Sequence, residues 1–134
     1  MLDMFAAVKA RYLATPLATS SNGIATQDEF PTIVRPYVIA VPIIDVLGKR
    51  TNVGDYHDAN FELHAIADTW EVATALGYQL QDAMLTPSLY FAGPTGRSVL
   101  AQKGRMTWQK EDMYWRCMVQ FLCTIAKPPE SRLY

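Results

Sequence analysis

Between Arg35 and Leu85 the chain carries two apolar, strand-like runs, Pro36–Leu47 and Tyr56–Ala67, either side of a Gly- and charge-rich turn, and an amphipathic helix follows at once. A second strand pair, Ser98–Gln109 and Met113–Lys127, closes the chain. This order constrains the fold more than any other feature. It leaves little polar apparatus for chemistry and much surface suited to lateral assembly, so the residues point to a structural role rather than an enzyme.

The run YVIAVPIIDVL (Tyr37–Leu47) is apolar on both faces, and both faces are expected to be covered. Pro42 removes one ladder donor, which predicts an edge position or a bulge. The turn GKRTNVGDYHD (Gly48–Asp58) is far longer than a tight hairpin needs and is expected to project as a mobile binding loop. In the next strand Phe61, Leu63, Ala65 and Ala67 point one way and Asn60, Glu62 and His64 the other. Asp68 or Thr69 is placed to cap the following helix, with Glu71 in its first turn. Its apolar stripe is Trp70, Ala73, Leu76, Gly77, Leu80, Ala83 and Met84, and Pro87 lies just past its end.

The final strand pair is expected to turn around Lys110–Asp112. On its last strand Met113, Trp115, Cys117, Val119, Phe121, Cys123 and Ile125 share a face assigned to the core. The other face, Tyr114, Arg116, Met118, Gln120, Leu122 and Thr124, is half apolar, and such a strand invites aggregation unless something covers it. Two covers are open at this point: the first helix or the Thr15–Arg35 crossing, and a neighbouring subunit.

Upstream, Leu2, Phe5, Val8 and Tyr12 recur at helical spacing, with Asp3 in the first turn and Lys9 and Arg11 near the end, as the helix dipole favours. Pro16 stops this helix. Thr15–Arg35 is turn-rich and predicts an irregular crossing with a short strand near Ile24. The 134 residues suffice for one domain, spanning 1–134. Twelve basic and 13 acidic residues give a net charge of −1, which argues against a chain whose main task is to coat nucleic acid. No run approaches the ~20 apolar residues of a membrane span, and Asp3 stands where a signal peptide would carry positive charge. Cys117 and Cys123, on one strand, lie roughly 20 Å apart, beyond disulfide reach. They are read as reduced core residues, and synthesis inside a cell fits.

Three candidate chemistries arise. Glu62 and His64 share a strand face, and Asp45 on the adjacent strand would complete a set able to ligate a metal or run acid–base chemistry. That set has no second histidine at ligand spacing, since His57 has the opposite strand parity, and an exposed polar strand face is the plainer account. Cys117 or Cys123 as a nucleophile would need a histidine partner and an electropositive pocket, but apolar neighbours surround both. AGPTGRS (Ala92–Ser98) lacks phosphate-loop spacing and reads as a turn. Lys49 and Arg50 on the long turn, and Lys103 and Arg105 on a strand, are either solvated surface or a basic lining near passing DNA or an acidic neighbour. No catalytic, metal or cofactor-binding residue is assigned.

An N-terminal helix, an irregular segment ending in Pro36-Tyr37-Val38, a strand running directly into an Ala/Leu-rich helix (Phe61–Met84) and a closing hairpin with Tyr114-Trp115-Arg116 together resemble the small neck and tail-completion proteins of tailed bacteriophages, tail terminators included. The likeness lies in element order and apolar spacing over most of the chain. It implies an α+β fold: about four mostly antiparallel strands packed with two helices, in the order α-β-β-α-β-β. It further implies a hexameric ring without cofactor that caps the tail tube and meets the head connector. Such a protein is made in the bacterial host cytoplasm and ends in the virion, with DNA a passing, non-specific neighbour and no membrane contact. Within that frame Lys49, Arg50 and Tyr56 are expected to contact a neighbouring subunit or adjoining ring, and Arg116, Met118 and Leu122 to serve a lateral interface. Lys103 and Arg105 are expected to face the lumen. Two rivals remain open: a small dimeric α+β module holding an apolar ligand between helix and sheet, and a metal-dependent hydrolase using Asp45, Glu62 and His64.

Overall fold

The computed structural model describes residues 2–26, 34–51, 54–85, 90–91 and 97–127. Helix α1 (Leu2–Leu13) and the short α2 (Leu17–Ser20) lead to β1 (Ile24–Thr26), then β2 (Tyr37–Thr51) and β3 (Gly54–Ala67). Helix α3 (Trp70–Leu85) follows, then β4 (Tyr90–Phe91), β5 (Arg97–Lys110) and β6 (Trp115–Lys127). One sheet has the order β1-β2-β3-β6-β5-β4. The α+β class, with four long antiparallel strands and two main helices, is as read from the sequence, and two short strands are added at the edges. One of them, β1, is the strand expected near Ile24. It runs parallel to β2, with Ile24 beside Val38.

The β3–β6 pair forms the centre. Phe61, Leu63, Ala65 and Ala67 on β3 and Cys117, Val119 and Phe121 on β6 are all buried on one face. The rings of Phe61 and Phe121 stack with centroids 5.1 Å apart, a pairing worth ~0.5–1.5 kcal/mol beyond the area buried. Ala73, Leu76, Leu80 and Met84 of α3 and Ala7, Val8 and Tyr12 of α1 join the same cluster. Both main helices therefore lie on one side of the sheet. The α1 end is fixed by polar contacts: Arg11 Nη1 donates to the Ala83 carbonyl at 2.7 Å. Tyr12 Oη and Ser21 Oγ share a buried hydrogen bond of 2.6 Å, while Ser21 Oγ–H donates to the Leu17 carbonyl.

The cap of α3 is Thr69, whose Oγ1 accepts from the Val72 amide at 3.3 Å; Asp68 is engaged by Arg35 instead. Pro42 sits at a register shift between Pro42 and Ile44, the bulge its missing donor predicts. Several expectations are corrected. The Gly48–Asp58 stretch is no free loop: β2 continues to Thr51, β3 starts at Gly54, and Lys49 lies opposite Tyr56. Backbone pairing extends the hairpin because Lys49 to Thr51 and Gly54 to Tyr56 find ladder partners in each other. The closing turn spans Glu111–Tyr114, joined by a Glu111 amide to Tyr114 carbonyl bond of 2.9 Å. Met113 thus leaves the assigned core face and is 77% exposed. Trp70, at the first turn of α3, sits at the rim of the stripe. The Ala92–Gly96 part of the predicted turn, the middle of the early crossing (27–33) and the side chain of Cys123 lie outside the described residues.

Gly77 permits the close approach of α3 to β6. A Cβ there would stand 2.6 Å from Cys117 Sγ and 3.4 Å from Val119 Cγ2. Gly77→Ala is accordingly expected to destabilise the chain by about 1–3 kcal/mol, the usual cost of overpacking. Cys117→Ala in the same chain should return part of that loss, since it vacates the contested space. Denaturant midpoints of the two single variants and the double variant measure this; strictly additive losses would show that the two positions do not share space.

Candidate functional site

The helices lie against one face of the sheet, and the opposite face presents a different set of residues. Strand register places its residues in rows. Tyr37, Ile66, Arg116 and Gln109 form one; Ile39, His64, Met118 and Thr107 form the next. Val41, Glu62 and Gln120 follow, and Leu122 stands opposite Gln102 further along. Tyr37, Ile39 and Ile66 make a second apolar cluster with Val41 and Tyr114 against it. The first helix, one of the two covers considered for this face, lies on the other side. Met118 is half-buried and Leu122 is 39% exposed.

A chain of polar contacts crosses this face. Arg116 Nη1 lies 2.7 Å from His64 Nδ1, and His64 Nε2 lies 2.9 Å from Glu62 Oε1. A guanidinium only donates, so Nδ1 is the acceptor and the imidazole proton sits on Nε2, donating to Glu62. Arg116 Nε also lies 3.4 Å from Glu111 Oε1. Desolvation is the largest influence on His64 and lowers its pKa; the Glu62 hydrogen bond raises it and the Arg116 charge lowers it. The neutral ring thus bridges a cation and an anion. Nearby, Arg35 Nε meets Asp68 Oδ1 at 2.6 Å and its guanidinium lies 5.3 Å from the centre of the Tyr114 ring. The Asp68 carboxylate is largely exposed, so that ion pair contributes little to stability.

The expected His/Glu/Asp set does not assemble. Asp45 lies opposite Ala59, five residues along β3 from His64, or ~16 Å at strand rise. His64 is also only 9% exposed, not the surface residue its alternation suggested; Arg116 reaches it from the neighbouring strand. Among the described residues no three His, Cys, Asp or Glu side chains are grouped to hold a metal ion. Cys117 is buried and unpaired by disulfide, and burial pushes its thiol up to about 11, which makes it a packing group. Where the apolar-ligand reading placed its cavity, Ala73, Leu76, Leu80 and Met84 of α3 are buried in one cluster with Phe61, Leu63, Val119 and Phe121 of the sheet. A groove of about 580 Å³ lies instead between the α1–α2 corner and α3, lined by residues including Arg11, Thr15, Pro16, Leu17, Gln79 and Asp82.

Of the other predicted contact residues, Lys103 and Arg105 are both exposed on β5. They flank Gly104 at a register shift between Lys103 and Met106. Glycine is required there, since a Cβ would meet the Gln120 carbonyl oxygen at 2.9 Å, and the Arg105 amide donates to Gln120 Oε1 at 3.2 Å. Lys49, Arg50 and Tyr56 are together on the extended β2–β3 hairpin; their side chains lie outside the described residues. The sequence reading missed an aromatic rim. Trp108 Nε1 donates to Thr74 Oγ1 at 2.9 Å, and the Trp70 and Trp108 rings sit 6.2 Å apart, both substantially exposed. The available signal was parity: Trp108 shares its strand face with Met106, which puts it under α3.

Among the described residues no helix is long and apolar enough to cross a membrane. No protein-family model matches the chain, and no curated protein matches it. Among solved structures, a chain of the virion of a native gene transfer agent particle superposes with a TM-score of 0.69 at 16% identity, covering 90% of this chain and 92% of that one. A second solved chain gives a TM-score of 0.62 at 16% identity, covering 93% of this chain and 94% of its own length. At these identities the likeness defines a shared fold over nearly the whole chain.

The polar bridge yields a pH dependence. The folded protein holds the His64 pKa below its ordinary 6.5, so at mildly acidic pH the unfolded chain binds more protons than the folded one. This contribution to stability is complete above pH 6.5 and is lost as pH falls towards the folded pKa. Urea titrations from pH 8 to pH 5 should show stability falling below about pH 6.5, with a shallower fall in His64→Gln; equal slopes in both chains would assign the acid sensitivity to other groups.

Proposed function

We propose that this chain is a structural protein of the virion of a tailed phage or phage-like particle. It forms a closed homo-oligomeric ring, with six copies as the reading of choice, at the neck or tail end. There the ring terminates the tail tube and joins it to the head connector. The single observation that carries this reading is the nine-tenths, two-way structural likeness to a chain of a gene transfer agent virion. Its support from the residues is a long hairpin arm, a sheet face that among the described residues no helix covers, and exposed aromatic and basic side chains. The reading needs no cofactor and no catalytic group.

In this reading the hairpin arm bearing Lys49, Arg50 and Tyr56 reaches an adjoining ring or subunit. Arg116 commits its guanidinium to His64 and Glu111, which leaves Met118 and Leu122 as the apolar contact points of the uncovered face. Lys103 and Arg105, exposed around the Gly104 bulge, offer positive charge towards DNA in the lumen, where a few cations suffice for a passing duplex and a strongly basic surface would retard it. The buried contacts between α3 and the sheet and the distance of Asp45 from His64 along the sheet favour this reading over the dimeric-module and hydrolase alternatives.

Excising Lys49–Asp55 should leave the subunit folded, because the rows below Val41 and Glu62 keep their partners, while joining to the adjacent virion component is lost. Circular dichroism and pull-down with purified tail-tube and connector proteins read the two effects; an unfolded variant would make the arm part of the core. Mass spectrometry of purified particles should find the chain at a small fixed copy number, and particles assembled without it should carry tails of uncontrolled length or no tails. Complete particles lacking the chain would remove the virion reading.

A further inference from the structure

Among the described residues the sheet ends in two long edges that no strand covers. On one side β4 pairs only with Arg97 and Ser98, so β5 from Val99 to Lys110 is laddered to β6 alone. On the other, β1 pairs only with Val38 to Ala40, so β2 from Val41 to Thr51 is laddered to β3 alone. Exposure along β5 agrees with an open edge. Lys103 and Trp108, in register with the core residues Phe121 and Cys117, are exposed, and so are Gln102 and Gln109, in register with Leu122 and Arg116 on the other face. A strand accessible on both faces presents its outer row of N–H and C=O groups to solvent, and such a row is a template for another strand.

We propose that in the ring inferred above the edge of β5 beyond Ser98 in one copy pairs with the edge of β2 beyond Ala40 in the next, so that the sheet continues across the subunit boundary. The inference rests on the ring reading and adds which backbone groups meet. Strand direction favours it. Every step along β2–β3–β6–β5 is antiparallel, so β5 runs opposite to β2. Rotation about a ring axis lying along the strands keeps those directions, and β5 of one copy then meets β2 of the next in the antiparallel sense the sheet already uses.

Charge selects this pairing over its main competitor. Two β5 edges related by a two-fold axis near Gly104 would set Lys103 of one copy against Arg105 of the other, and like charges directly opposite are unfavourable in a sheet. Along the β2 edge Val41–Leu47 holds Asp45 as its one charged residue, and Lys49 and Arg50 lie beyond it at the hairpin end; a register that sets Val41–Leu47 against Lys103 and Arg105 therefore brings no opposing cation to them. Unlike edges joined head to tail also generate a closed ring when the rotation closes, whereas a two-fold contact stops at a dimer. The bulges at Pro42–Ile44 and Lys103–Met106 interrupt each edge and limit pairing with unrelated strands.

Hydrogen–deuterium exchange of the full chain, followed by mass spectrometry across a concentration series with the oligomeric mass measured in parallel, tests the proposal. On assembly into a ring, peptides covering Gln102–Lys110 and Val41–Thr51 should both contain amides slowed at least ~10-fold, as new ladder bonds require, with α3 unchanged. A ring whose β5 and β2 amides exchange as in the dilute subunit overturns the edge pairing and leaves the ring reading standing. A dimer protected at β5 and not at β2 overturns it in favour of two-fold pairing. A chain that stays monomeric throughout the series overturns the pairing and the ring together.

Discussion

The contact between α3 and the central β3–β6 pair is the constraint on which the rest of the structure depends. Phe61 and Phe121 stack at its centre, and Gly77 lets the helix backbone come down onto Cys117 and Val119. With that approach made, Leu76, Leu80 and Met84 seal against the sheet, and α1 completes the layer through Val8 and Tyr12. Both helices are thereby spent on one face. A sheet covered on one side must solve its other side by different means.

The solution on the uncovered side is mixed. Tyr37, Ile39 and Ile66 bury one another at the β2–β3 end, while Glu62, His64, Arg116 and Glu111 satisfy each other across strands. A neutral histidine between a carboxylate and a guanidinium is well suited to this place. It fills both of its hydrogen-bonding roles and carries no charge to be desolvated. Met118 and Leu122 remain accessible beside this network. Among the described residues this face is thus an accessible strand surface held by internal polar ties.

Much of the fold was legible in the residues. The alternation of Phe61, Leu63, Ala65 and Ala67 against Glu62 and His64 fixed which side of β3 met the helix. Pro42 pointed to an edge or a bulge through its missing donor, and Asp68 or Thr69 marked the start of α3, with register and the Thr69 hydroxyl deciding each. The site was less legible, because contacts across strands depend on register. Nothing local in the sequence says that Arg116 rather than Asp45 comes to His64, since a shift of a few residues along β2 or β6 exchanges their neighbours. Gly48–Asp58 read as a loop for a related reason: glycines and charges mark a turn, but the pairing that extends the hairpin is supplied by each strand to the other.

The sequence by itself determined the periods of the long segments: the two main helices, the four long strands and the apolar side of β3 and α3. Those are properties of neighbouring residues and follow from local geometry. Tertiary structure alone decided that both main helices share one face, that His64 is neutral and enclosed, that Met113 and Trp70 reach the rim, and that among the described residues β2 and β5 form the long outer strands. Each of these depends on residues far apart in the chain meeting in one register, and the physical reason is that solvent exposure and hydrogen-bond partners are fixed only when the layers have closed.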